Sequence, residues 1–119
     1  MEIRSRDAAE PFTTADGSTI RSLLDRSNAP VANQSLAEAT IAAGESTVRH
    51  YHRAAEEIYY LVEGAGEIEV DGERAAVASG DAVLIPPGAW HQIRAADAGP
   101  VRLLCACAPA YRHEDTFFS

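Results

Sequence analysis

The chain contains no lysine: all ten of its basic residues are arginine. That absence excludes Schiff-base chemistry on a lysine amine and a P-loop, whose lysine reaches the phosphates. Positive charge is scarce altogether. Ten arginines face 18 acidic residues, giving a net charge of −8. A nucleic-acid backbone or an anionic membrane surface repels such a chain, and no basic cluster offsets the balance. Neither partner is expected. No apolar run approaches the ~20 residues of a membrane span. The start, "MEIRSRDAAEPF", lacks the apolar core of a secretory signal. A cytoplasmic protein is the expectation from these absences.

Cysteine is sparse too, with only Cys105 and Cys107. In a strand, a C-x-C pair sets both side chains on one face, about 6.6 Å apart. That spacing is awkward for a disulfide. Both are expected to be buried thiols acting as small apolar residues. Helix signals are nearly missing. Only "RSLLDR" has any helical character, and it is too short to sustain a helix.

What is present reads as strand. An apolar content of 46% and a charged content of 24% fit a globular chain, and 119 residues suit one domain. A polar lead-in covers residues 1–11, and a tail covers 109–119. "FTTADGSTIRSLLD" reads as two short strands about an Asp16-Gly17 turn. "SLAEATI" alternates, and "EEIYYLVEG" is strongly β-prone. "GEIEVDGERAAV" is the clearest hairpin, with Ile68 and Val70 alternating with charges about Asp71-Gly72. "DAVLIPPGAWHQIRA" is strand, Pro-Pro-Gly turn, strand. "PVRLLCACAP" is the last strong strand. Many short strands with turns every eight to twelve residues predict an all-β sandwich or small barrel.

Alternate residues of a strand face the same side. His50 and His52 therefore share a face, as do Glu57, Tyr59 and Leu61 on the next strand. His91 follows the Pro86-Pro87-Gly88 turn. If these strands line one barrel, two or three imidazoles and a carboxylate converge. That is a donor set for a first-row transition metal, with positions left for water or substrate.

Two spacings identify the chain as resembling a small single-domain cupin. The first motif, G-x5-H-x-H-x4-E-x6-G, falls on Gly44, His50, His52, Glu57 and Gly64. The second, G-x5-P-x-G-x2-H, falls on Gly80, Pro86, Gly88 and His91. The motifs span residues 44–95. An asparagine that often ends the second motif is Ala95 here. The resemblance implies a double-stranded β-helix (jelly-roll) barrel. It also implies that His50, His52, Glu57 and His91 ligate one divalent metal: Fe, Mn, Zn, Ni or Cu.

Further expectations follow from parity. Glu56 should face solvent. Tyr59 should face the pocket, where its phenol could serve catalysis as a proton or hydrogen-bond donor. Tyr60, Trp90 and Gln92 should face outward, and Ile93 inward with His91. Gln34, Glu38 and Arg102 could each reach the pocket from flanking strands, although an exposed salt-bridged Arg102 is the plainer expectation. His113-Glu114-Asp115 in the tail is not expected to form a second metal site. Phe117 and Phe118 should anchor the tail, with a partner subunit as one possible seat, since small cupins commonly form homodimers.

The family hosts many activities. A metal-dependent enzyme acting on a small organic molecule is favoured, of dioxygenase type. The alternatives are a non-redox isomerase, lyase or cyclase using the metal as a Lewis acid, and a non-catalytic small-molecule or sugar-binding module.

Overall fold

The computed structural model describes all 119 residues. Eleven strands form: β1 (Phe12–Thr13), β2 (Thr19–Leu24), β3 (Ser35–Ile41), β4 (Tyr51–His52), β5 (Glu56–Glu63), β6 (Ala65–Val70), β7 (Glu73–Ala78), β8 (Ala82–Ile85), β9 (His91–Ala95), β10 (Val101–Ala108) and β11 (Thr116–Phe117). Helix is confined to two single 3₁₀ turns, Arg6–Ala8 and His113–Asp115. "RSLLDR" runs from strand β2 into the following turn and forms no helix.

The larger sheet has the order β1-β2-β3-β10-β5-β8 and the smaller one β7-β6-β9, and β11 and β4 form a separate two-stranded ribbon. All pairings are antiparallel. The two sheets fold into the jelly-roll barrel of the all-β class. Asp71 and Gly72 both adopt positive φ, 48° and 86°. This is the turn geometry that matches the twist of a two-residue hairpin, so β6 and β7 pair in register as expected.

Register explains the interior. Across the larger sheet, one row is Ser35, Cys107, Glu57 and Ile85. The next is Ala37, Cys105, Tyr59 and Val83. A third contains Ala39, Leu103 and Leu61. All these positions are odd-numbered, so the period-2 alternation of strands turns every one inward. The third row is the apolar floor: Leu61 is wholly buried and packs in one core with Leu103, Ile85, Ile93 and Ile68. The smaller sheet contributes Ile68 opposite Ile93. The β3 side of these rows has only small residues, Ser35, Ala37 and Ala39, which leaves a cavity beside Tyr59 rather than a filled core.

Alternation is less simple in β6. Ile68 is buried as expected, but Glu69 is buried as well and Val70 only half-buried. Glu69 accepts Arg49 Nε at 2.6 Å and the Gly72 N–H at 2.7 Å. The Trp90 N–H donates to Asp71 Oδ1, and Asp71 N–H to the Trp90 carbonyl, both at 2.8 Å. The hairpin tip is thus clamped to the residue preceding His91.

Candidate metal centre

The segment before β4 crosses to β9 through two isolated bridges, Ser46 with Arg94 and His50 with His91. His50 and His91 exchange both backbone hydrogen bonds, at 3.1 and 2.8 Å. Directly paired residues present their side chains on one face, and their ring centroids lie 4.3 Å apart. His52, two residues on, returns to that face. Its ring lies 5.2 Å from His50 and 5.4 Å from His91. The three imidazoles are buried, and one nitrogen of each lies within 4.8 Å of the others. Glu57 enters from β5. Its Oε1 stands 3.3 Å from His91 Nε2 and 3.5 Å from His52 Nε2. Glu56 is exposed, as its parity requires.

Hydrogen bonding orients the rings. His50 Nδ1 donates to the Val48 carbonyl at 2.6 Å, and His91 Nδ1 to the Ala89 carbonyl at 3.0 Å. A carbonyl only accepts, so both rings carry the proton on Nδ1 and aim the Nε2 lone pair inward. His52 Nδ1 meets Thr116 Oγ1 at 3.3 Å. Two buried side-chain atoms have no hydrogen-bond partner, His91 Nε2 and Glu57 Oε1. Leaving a buried polar atom unpaired costs about 1–3 kcal/mol. Both atoms are donors to a cation, and they face one another. The residues therefore fit a divalent metal.

Electrostatics agree. Burial opposes ionisation of Glu57, but His52 and His91 outweigh it and hold the carboxylate well below its usual range. Burial, then the neighbouring His91, push His50 down towards its neutral, ligating form. Burial also opposes a charge on His52, yet the Glu57 carboxylate prevails and raises it. A proton therefore competes with a cation at His52, and metal uptake is expected to release protons.

Both thiols are unpaired. Cys107 departs from the expectation of an apolar filler. It pairs with Glu57 across β10 and β5, and its thiol donates to Glu57 Oε2 at 3.2 Å. Burial, then the Glu57 charge, push its pKa far up, so the donor is retained. With Oε2 occupied, Oε1 is the oxygen presented to the centre. Cys107→Val removes that donor and is expected to weaken metal binding by about 10–100-fold, the usual effect of losing a partner to a metal ligand. Cys107→Ser should restore most of it. Chelator-competition titration checks this, and wild-type affinity in the valine variant would contradict it.

Tyr59 is buried and lines the cavity, its ring centroid 6.0 Å from that of His91. Ile93 is buried with His91, while Tyr60 is exposed. Trp90 is half-buried under Arg49, 5.0 Å from its ring centroid. Gln92 is half-buried, not fully outward, because its amide donates to the Thr47 carbonyl.

Glu38 and Gln34 do not reach this cavity. Glu38 sits on the opposite face of β3 from Ala37 and Ala39, where it is buried under Arg6 and Arg102 at 3.0 and 3.1 Å. Arg102 is correspondingly taken up by Glu38 and Glu63, and Gln34 is exposed outside the cavity.

The tail seats on its own chain. β11 pairs with β4, Thr116 opposite His52 and Phe117 opposite Tyr51. Phe117 stacks on Tyr51 at 5.2 Å and lies under Arg53. Phe118 lies 5.8 Å from the His50 ring. Asp115 accepts the backbone N–H groups of Ala54 and Ala55. His113 lines the cavity.

One residue at the site escaped the sequence reading. Asp16, read there only as a turn, lines the cavity with its Oδ2 3.8 Å from His50 Nε2. The Val48 N–H donates to the Asp16 carbonyl at 2.7 Å, bringing the β1–β2 turn onto the segment that leads into His50. Thr14 and Ser18 on either side were the available signal, since hydroxyls flanking an Asp-Gly turn hold its carboxylate in place.

Fold and site together define a jelly-roll barrel with a three-histidine centre suited to a metal. The cupin domain pattern matches residues 37–107, and the chain belongs to the cupin family. It is 43% identical to the uncharacterized protein MJ1618 of Methanocaldococcus jannaschii, over 92% of this chain and 88% of that protein. It is 29% identical to the tetracenomycin polyketide synthase protein TcmJ of Streptomyces glaucescens, over 78% of this chain but only 62% of TcmJ. Among solved structures, the polyketide cyclase RemF of Streptomyces resistomycificus superposes with a TM-score of 0.79 at 22% identity, covering 97% of this chain and 89% of RemF. No helix is long and apolar enough to cross a membrane.

Proposed function

We propose that the protein is a metal-dependent enzyme acting on a small organic molecule, with His50, His52, Glu57 and His91 as the ligands. The carrying observation is the pair of unpartnered buried atoms, His91 Nε2 and Glu57 Oε1, within a cluster of imidazoles. Fe, Mn, Zn, Ni and Cu all accept such a set. When bound, the cation supplies Lewis acidity toward a substrate oxygen or, if redox-active, supports dioxygen chemistry.

The chain's own residues do the rest. The Val48 and Ala89 carbonyls fix two rings as neutral donors. Ile20, Ala39, Ile41 and Leu103 give the cavity an apolar wall. Burial, then the Glu57 charge, raise the Tyr59 phenol well above its usual value. It stays protonated at neutral pH and offers an O–H to a bound substrate. A buried hydrogen-bond donor beside the centre suits non-redox chemistry of cyclase, lyase or isomerase type, with the donor holding a substrate oxygen. The similarity to TcmJ, a polyketide synthase protein, supports a polyketide-type substrate. Dioxygenase chemistry is the second reading, favoured by a donor set that also serves redox metals.

The test is turnover by chelator-stripped protein reloaded with zinc or with ferrous iron, on aromatic polyketide-type ketones, in air and under argon. Turnover with zinc under argon supports the non-redox reading, and turnover only with iron in air supports the dioxygenase. Binding without turnover under every condition would overturn the enzyme reading in favour of a binding module.

Two further parts belong to this proposal. Ile58 and Leu84 pair across β5 and β8 and are exposed together with Tyr60. This apolar face supports a homodimer. Two unpaired thiols suit a reducing, cytoplasmic compartment.

A further inference from the structure

The cavity beside the centre measures about 110 Å³, of the order of the ~150 Å³ cavity known to hold a benzene ring. It admits a single-ring molecule or a group of that size. Its carboxylates are Asp16, Asp25 and Glu57, and its only basic groups are the imidazoles of His50, His52 and His113. None of the ten arginines lines it. Arg6 and Arg102, on flanking segments, are drawn to Glu38 on the other face of β3.

Asp16, in contrast, is built into the wall. Its Oδ1 accepts three hydrogen bonds: Thr14 Oγ1 at 2.5 Å, Ser18 N–H at 2.9 Å and Ser18 Oγ at 2.6 Å. Three donors on one oxygen fix the carboxylate plane. Oδ2 takes no part in those bonds and lies on the His50 side, 3.8 Å from Nε2. The side chain is 16% exposed, so a ligand entering the cavity meets it largely desolvated.

We propose that Asp16 anchors the substrate through Oδ2 and selects neutral or cationic molecules with a hydroxyl or amine donor, against carboxylates and phosphate esters. The inference rests on the cation assigned above. A divalent cation there is balanced by the Glu57 and Asp16 carboxylates, and a neutral ligand leaves the balance intact. An anionic ligand adds negative charge among Ile20, Ala39, Ile41 and Leu103 with no arginine to pair it, which is costly in an apolar wall. A hydroxyl or amine supplies the donor that Oδ2 is positioned to accept. Tyr59, on the larger sheet, faces the same space and supplies a donor for a substrate carbonyl or ether oxygen.

Two probes of one size separate donor from charge: benzyl alcohol, neutral with an O–H, and benzoate, anionic without one. Both are titrated into the cobalt(II)-loaded full chain and followed by its visible spectrum and by calorimetry. Asp16→Asn keeps an oxygen for the Thr14 and Ser18 bonds, so the turn is retained. Glu73→Gln, an exposed β7 position, makes the same change in net charge elsewhere. The wild type and the Glu73 variant are expected to prefer benzyl alcohol. In Asp16→Asn, benzoate affinity should rise at least tenfold and the preference should reverse. Equal benzoate affinity in the wild type and Asp16→Asn, a wild-type preference for benzoate, or binding of neither probe would overturn the assignment of Asp16. Failure to develop a cobalt spectrum at all would instead overturn the metal reading on which it rests.

Discussion

His52→Ala is expected to weaken metal binding by more than about 100-fold and leave the barrel folded. Loss of a mere partner to a ligand costs 10–100-fold, and His52 is read here as a ligand itself. Without it, the remaining imidazoles and Glu57 offer an incomplete set. The fold should survive because the pairing of β4 with β11 at Thr116 and Phe117 uses backbone groups, and the hydrophobic core lies elsewhere, around Leu61, Leu103 and Ile93. Competition titration against a chelator measures the affinity, and circular dichroism with a thermal melt measures the fold. Wild-type affinity in the variant would remove His52 from the ligand set. Loss of affinity together with loss of fold would make its role structural.

Gly64→Ala is expected to destabilise the protein by about 3 kcal/mol or more. Gly64 joins β5 to β6 with φ +90°, a conformation that costs a side-chain-bearing residue about 1–3 kcal/mol. A Cβ there would also collide with the Pro100 carbonyl oxygen. That neighbour is backbone at the start of β10, the strand that pairs with both β3 and β5, so it cannot yield without moving the larger sheet. Gly72 separates the two causes. Its φ is +86°, yet a Cβ would meet nothing within 4 Å. Gly72→Ala should therefore lose only the conformational part. Urea unfolding of the two variants gives the comparison, and equal losses would contradict the role assigned to the Pro100 contact. A typical domain has only 5–15 kcal/mol in hand, so the Gly64 variant should show a sharply lowered midpoint.

These residues show what was legible in the sequence. His50, His52, Glu57 and His91 were legible because strand parity and turn spacing are local properties, and the two motifs record both. The hairpin at Asp71-Gly72 was legible for the same reason. The choice of Glu57 over Glu56 came from the four-residue spacing of the first motif, because the unbroken apolar run Ile58–Val62 fixes no parity by itself.

What was not legible depends on contacts between segments far apart in the chain. Asp16 is 34 positions before His50 and reads as an ordinary solvent turn until the Val48–Asp16 backbone bond folds it over the site. Cys107 reads as a small apolar residue until its row on the larger sheet sets it beside Glu57. Glu38 could have reached the pocket only if the register of β3 allowed it, and pairing with β10 turns Ala37 and Ala39 inward and leaves Glu38 on the outer face under Arg6 and Arg102. The tail gave aromatic residues but no register, and pairing with β4 supplied it.

The most direct test of the metal centre is elemental analysis of tag-free protein purified without chelators, quantified per chain and run beside His52→Ala. Close to one transition-metal ion per chain is expected in the wild type and close to none in the variant. A metal-free wild type that also fails to take up added zinc or iron, or equal metal in both proteins, would contradict the metal assignment.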